Sequence, residues 1–426
     1  RVANVTGLIL GFLFLLFCAT FVQVVVFYGG GFTTGTPPVN EPEIWATQSA
    51  ARLGLLALPC LLYIIFTGGN LASLNASSWH NFYRARLTRS YVSVGNAERG
   101  FQPTALAQTT PSAVDALTRV SDIVAHDDIP LAEYRPHVHG GPLHLVNVCV
   151  NQTVDDRTGE FNRARKGRNM TVSSAGCDLG SPARSIVVEY RDGAGPTLGQ
   201  WIAISGAAAA PGMGSHTSKG MASLLTLCGV RLGYWLDVAR TDGERLKDST
   251  PLGKVLPKYA HLLDEMLATF PGSDDRHWYL SDGGHFENTG VYALLKREVD
   301  VIVVADCGAD PDYAFDDLNN LVRLARIDFD AEIIFQQPDR KLAATANLDI
   351  APFGTLAEIA ASDSSSFLVM ARVKYASGKI GHLLIVKPTM IGTLPLDLMS
   401  YKSGNPAFPQ QTTADQFFDE AQWESY

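Results

Sequence analysis

The chain has 426 residues, 46% hydrophobic and 18% charged, so it must bury a substantial core and is too apolar to be a disordered polymer. Its net charge of -9 is spread along the chain, and no stretch interleaves Lys and Arg with aromatic residues, which argues against a nucleic-acid partner. Cys18, Cys60, Cys149, Cys177, Cys228 and Cys307 stand far apart, without the close pairs that zinc or redox motifs need, and read as reduced thiols.

Residues 7–28 (GLILGFLFLLFCATFVQVVVFY) carry no charge and one strongly polar side chain, Gln23. As a helix they would span about 30 Å, the thickness of a bilayer core. A signal peptide fits less well, because the apolar run is too long and no small-residue cleavage site follows. A second uncharged run at 53–72, weakened by Pro59, Gly68, Gly69 and Asn70, reads as the return helix of a transmembrane hairpin; a buried soluble helix is the rival reading. Arg84, Arg86 and Arg89 follow the hairpin and Arg1 precedes it, so the positive-inside bias places both ends, and the remaining chain, in the cytoplasm. The N-x-[ST] triplets at Asn4, Asn75, Asn151 and Asn169 would then stay unglycosylated.

A linker follows over 81–139, with one amphipathic stretch at 112–125. Short β-branched runs then appear at 143–151, 183–190, 299–308 and 331–337, interleaved with helical patterns at 221–238, 255–270, 289–297 and 314–327. Strand and helix alternate, which predicts an α/β sheet covered on both faces, within one domain over 140–426. VDVIVVAD is nearly all apolar and predicts a central strand buried on both sides. FLVMARVKY and HLLIVKP, flanking residues 376–381, predict a β-hairpin.

The chemistry is sought at Ser281-Asp282-Gly283-Gly284-His285-Phe286-Glu287-Asn288. Asp282 closes a short strand, and two glycines behind it allow another chain segment to come close, which suits a general base. An Asp-Gly pair is also an ordinary turn, so the surrounding blocks carry the weight. DGG with Asn288, a helix and an apolar strand ending in Asp306 resembles the catalytic aspartate block of patatin-like phospholipases and, more distantly, of the cytosolic group-four phospholipases. Four other blocks agree in order: Gly141 to Asn147 with Asn151; Arg165-Lys166-Gly167 through Ser173-Ser174 to Gly180; Ile204-Ser205-Gly206-Ala207-Ala208 with Pro211, Met213 and Gly214; and the closing FPQQTTADQFFDEAQWESY. The likeness runs from about Arg135 to the C-terminus and is to the second half of large bacterial membrane proteins of this type.

The resemblance implies an incomplete patatin-like catalytic sheet with flanking helices, preceded by the transmembrane hairpin, in a bacterial inner membrane. It also implies hydrolysis of phospholipid or lysophospholipid esters by a serine–aspartate dyad, with Asp282 as the base, Gly283, Gly284 and Asn288 shaping its turn, and no cofactor. The chain departs from the family at the nucleophile, since no serine stands in G-x-S-x-G. The serine is therefore expected in chain preceding Arg1, the alternative being a degenerate site in a non-catalytic membrane module. Ser205, in SGAAAAPGMG, is the substitute nucleophile to be weighed; Ile204 directly before it does not suit an elbow.

Residues 212–220 (GMGSHTSKG) lack the order of a phosphate loop and read as a helix start. Asp274, Asp275, His277, Asp282, His285 and Glu287 crowd one stretch without any metal-ligand spacing, so no metal is expected, and His277 and His285 read as supports of the turn. Asp306, Asp310, Asp312, Asp316 and Asp317 read as strand ends and helix caps.

Overall fold

The structure, a computed structural model, describes residues 2–28, 42–93, 96, 123, 126–154, 165–179, 188–190, 195–241, 251–361, 365–392, 394–412 and 419–426. The expected helix at 112–125 lies outside these apart from residue 123, as does most of the expected strand at 183–190. The chain forms two compact units of mixed α/β structure, one holding residues 1–179 and 185–286, the other 180–184 and 287–426.

The first unit begins with α1 (Val2–Tyr28), α2 (Pro42–Gly68), α3 (Leu71–Ala76) and α4 (His80–Leu87) and continues with α5 (Leu198–Ser205), α6 (Lys219–Leu227) and α7 (Pro257–Leu267). α1 and α2 are long and apolar enough to cross a membrane. Phe12, Leu13, Phe14, Leu15, Leu16 and Phe17 are all exposed, and six consecutive helical residues point in every direction, so one packed face cannot cover them. α2 starts earlier than the apolar run suggests, with Pro42 at its first position and Glu43 in its first turn. It stops at Gly68 because the Asn70 side chain caps α3, accepting the Ser73 N–H at 3.0 Å. The two helices run antiparallel, with the Arg52 guanidinium donating to the Val26 carbonyl at 3.4 Å.

The sheet of this unit comprises β1 (Val146–Asn151), β2 (Gly167–Ser173), β3 (Gly176–Leu179), β4 (Val188–Tyr190), β5 (Tyr234–Thr241) and β6 (His277–Asp282), in the order β3-β2-β1-β6-β5-β4. Every pairing is antiparallel. Alternation along the strands sends Val148, Met170, Leu236, Trp278 and Leu280 to one face, where Leu198, Trp201 and Ile204 of α5 cover them. Trp235 and Tyr279 go to the other, beneath Leu74 of α3 and Ala222 of α6. The sheet is thus covered on both faces, as expected, but without parallel strands. The helix expected over 221–238 is divided: α6 ends at Leu227, Gly229 takes φ +72°, and Tyr234 onward pairs with β6 as β5. A left-handed glycine stops the helix, and the aromatic run after it finds ladder partners.

In the second unit β7 (Val301–Ala305), β8 (Glu332–Phe335), β9 (Leu368–Lys374) and β10 (Ile380–Val386) form a sheet ordered β7-β10-β9-β8. β9 and β10 make the expected hairpin, turning through Gly378 at φ +83°. α8 (Asp316–Phe329) lays Leu318, Leu321 and Ala325 against Ile302, Val304, Val369 and Leu383. β7 corrects the expectation of a doubly buried central strand. It is an edge strand beside β10, and Val301 and Val303 are 63% and 64% exposed while Ile302 and Val304 are buried. A strand apolar at every position gives no alternation from which to read which face is covered.

Candidate active site

Asp282 is the last residue of β6, a strand flanked on both sides, by β1 and β5. Its Cα pairs with Val148, after which the chain leaves the sheet in a short 3₁₀ turn, Gly283–His285. Asp282 caps that turn, accepting the Gly284 N–H at 2.7 Å. Gly283 is required by proximity: a side chain there would lie 2.6 Å from the Asn147 carbonyl oxygen of β1. Burial pushes the Asp282 carboxyl from 3.8 up to about 6, the Gly284 hydrogen bond pulling the other way. Among the described residues, its second oxygen, Oδ2, accepts no hydrogen bond.

The turn is held by a directed chain of hydrogen bonds. Gly214 N–H donates to Asn151 Oδ1 at 2.9 Å, and Asn151 Nδ2 donates to Ser281 Oγ at 2.8 Å. Ser281 Oγ is 2.8 Å from His285 Nδ1, and His285 Nε2 is 3.2 Å from the Ala208 carbonyl. A carbonyl only accepts, so His285 carries a proton on Nε2. Burial lowers its pKa to about 4, which favours the neutral ring near pH 7. His285 supports the turn, as its position suggested. His277 does not: at the opposite end of β6 its Nδ1 meets His261 Nε2 at 3.0 Å. Gly214, at φ +52°, lies so close to the His285 carbonyl that a side chain would collide with it. The small-residue run 205–214 thus packs its backbone directly beside the Asp282 turn.

Ser205 ends α5 and donates its hydroxyl proton to the Asn147 carbonyl at 2.8 Å, so that proton is engaged by the backbone. Asn288 belongs to the second unit, where its amide donates to Asp317 at 2.8 Å. Of the acidic set, Asp310 accepts the N–H groups of Ala314 and Phe315, and Asp306 and Asp310 hold the buried Lys387 at 3.1 and 3.4 Å. Among the described residues no group of three or more His, Cys, Asp or Glu side chains has the arrangement of a metal site.

Two residues near the turn have no motif to announce them. Tyr83 of α4 brings its hydroxyl within 2.5 Å of where a side chain on Gly206 would begin, and its pKa is raised by burial, then by the charges of Asp282 and Tyr91. α4 is fixed there because Arg84 donates to Asp128 at 2.9 Å while Asp128 accepts Thr197 Oγ1 and Gly199 N–H at the start of α5. His80 adds a second clamp between the Leu232 carbonyl at 2.6 Å and the Gln200 amide at 2.9 Å. Cys149 lies fully buried opposite Ser281, its thiol pushed up to about 12 by burial and then by the Asp282 charge.

No family model, curated protein or solved structure matches the chain.

In the second unit an apolar groove of about 310 Å³ lies between Pro338, Leu342, Leu348, Ile350, Phe353 and Met370. Asp339 is the one titratable side chain in its wall, and it caps a helix by accepting the Leu342 N–H at 2.9 Å. The groove therefore offers volume without chemistry.

Proposed function

We propose that this chain supplies the general base of a membrane-anchored lipid acyl hydrolase with a patatin-like catalytic fold. Asp282 would be the base, and the nucleophilic serine would lie in chain preceding Arg1. The observation that carries the proposal is the Asp282 carboxylate itself: buried, raised toward neutral pH, fixed through one oxygen by Gly284 N–H and open at the other. A base works best with a pKa near the working pH, and a hydrogen bond to one oxygen sets its direction. Asp282 Oδ2 would take the serine proton as the serine oxygen bonds to the ester carbonyl carbon. It would return that proton to the departing alkoxide, leaving an acyl-enzyme. A water, deprotonated by the same carboxylate, would then release the fatty acid.

The substrate class, phospholipid or lysophospholipid ester, follows from the blocks around Asp282 and from two helices suited to a bilayer. The hairpin would anchor the protein as a multi-pass protein of a bacterial inner membrane, with both units cytoplasmic. A second reading, a non-catalytic membrane module that kept the fold, is favoured by one observation, the lack of any G-x-S-x-G serine.

The deciding experiment assays ester hydrolysis by the protein together with its upstream chain. Asp282→Asn is expected to abolish turnover; full activity in that variant removes Asp282 from the mechanism. The chain of 426 residues alone is expected not to react with a fluorophosphonate probe, and labelling of Ser205 would relocate the nucleophile.

A further inference from the structure

α7 is built inside out. Its side toward the sheet carries His261 and Glu265, both about 1% exposed, with Glu265 accepting from Arg231 Nη1 at 3.0 Å and from the Trp235 indole at 2.8 Å. Its opposite side carries Tyr259, Leu263 and Leu267 at four-residue spacing, with Leu263 47% and Leu267 56% exposed. Just before the helix, Val255 is 71% exposed. A helix on a water-facing surface has the reverse pattern, apolar inward and polar outward.

The neighbourhood of this face says what covers it. The Tyr259 hydroxyl is 2.9 Å from that of Thr67, in the last turn of α2, and Leu256 fills the space that a side chain on Gly68 would need. The Lys258 ammonium lies 5.4 Å from the ring centres of both Tyr63 and Tyr259. α7 therefore starts where a membrane-length helix ends. α1 also reaches this part of the unit, where Gly11 meets Leu227 at the end of α6.

We propose that α7 lies in the plane of the membrane interface, with a phospholipid bilayer as the partner of its Leu263–Leu267 face. Tyr259 sits at headgroup level and Lys258 faces the lipid phosphates, the places these side chains favour at a bilayer surface. The inference rests on reading α1 and α2 as membrane-spanning. Because Glu265 ties α7 to Arg231 and to Trp235 of β5, the sheet that carries Asp282 is seated on the lipid surface and not merely tethered to it.

The test uses the full chain in phosphatidylcholine–phosphatidylglycerol vesicles, with every native cysteine except the buried Cys149 replaced by serine. A nitrobenzoxadiazole label is placed on Leu263→Cys or Leu267→Cys, both exposed positions that tolerate it. Replacing part of the lipid by doxyl-labelled phosphatidylcholine should lower emission at both positions by about half or more, as for a group at the acyl boundary. Unchanged emission overturns the proposal. Protection from aqueous iodide without doxyl quenching also overturns it, since a protein surface would then cover the face. A label on Leu16→Cys reports the hairpin separately. Quenching there without quenching on α7 leaves the membrane span standing and removes this interface alone.

Discussion

A single carboxylate with one anchored and one open oxygen determines the pH behaviour expected of this protein. Asp282 must be ionised to accept a proton, so kcat/KM should rise with pH through about 6 and level off above it. A pH–rate profile of the protein with its upstream chain checks this; a limb displaced to the ordinary carboxylate value near 3.8 would mean the base lies elsewhere. The same burial has an opposite sign for stability. The folded state binds the Asp282 proton more tightly than the unfolded state, so this group's stabilising contribution is complete below about 4 and is lost as pH rises to about 6. At pH 7 the ionised side chain costs on the order of 1–3 kcal/mol. Asp282→Asn should therefore raise the melting temperature while removing activity, a pairing that misfolding cannot produce. Calorimetry at pH 7 checks it, and a lower melting temperature would contradict the burial argument. The Asp-Gly-Gly turn was legible in the sequence because each residue has a local job there. The relay from Gly214 through Asn151 and Ser281 to His285 was not, because its members come from β1, β6 and a distant loop and share no spacing.

Among the elements, α6 and α7 separate what pattern reveals from what it hides. The periodic apolar residues after Met221 promise one long helix, yet Gly229 stops α6 and the following tryptophan and leucine join β5. Helical and strand readings of a short apolar run are nearly degenerate, and the presence of β6 as a ladder partner breaks the tie. α7 is clearly amphipathic in sequence, but amphipathicity does not say which face turns inward. Here the inward face holds the Arg231–Glu265 pair, both side chains nearly fully buried. Glu265→Gln would leave the guanidinium buried without its counter-charge and is expected to cost about 3–5 kcal/mol. Denaturant unfolding in mild detergent, followed by tryptophan emission, measures this; a change below about 1 kcal/mol would mean that Arg231 finds another partner. β7 gives the complementary case, a strand whose uniform Val/Ile composition concealed that it has one covered face and one open.

Across the whole chain, α1 and α2, proposed above as a membrane hairpin, would decide where any chemistry takes place. The start of α1 packs on α6, with Gly7 against the Gly220 carbonyl, and the end of α2 rests on α7, so both ends meet the first unit on one side. A cysteine introduced within residues 29–41 should react with a membrane-impermeant maleimide from outside intact cells. One placed at the C-terminus should react only after permeabilisation. Labelling of both from outside would reverse the orientation that Arg84, Arg86 and Arg89 imply.

The amino-acid sequence settled by itself those features that a local rule can settle: two apolar helices of bilayer length, a mixture of strands and helices after them, the β9–β10 hairpin, and a carboxylate at a glycine turn. Each depends on residues close together along the chain. The antiparallel order of the first sheet, the edge position of β7, the inverted face of α7 and the placement of Tyr83 beside Gly206 came only from folding. They depend on which distant segments compete successfully for the same ladder edge or the same buried face. That competition is decided by packing and hydrogen-bond satisfaction summed over the whole unit, which no window of sequence contains.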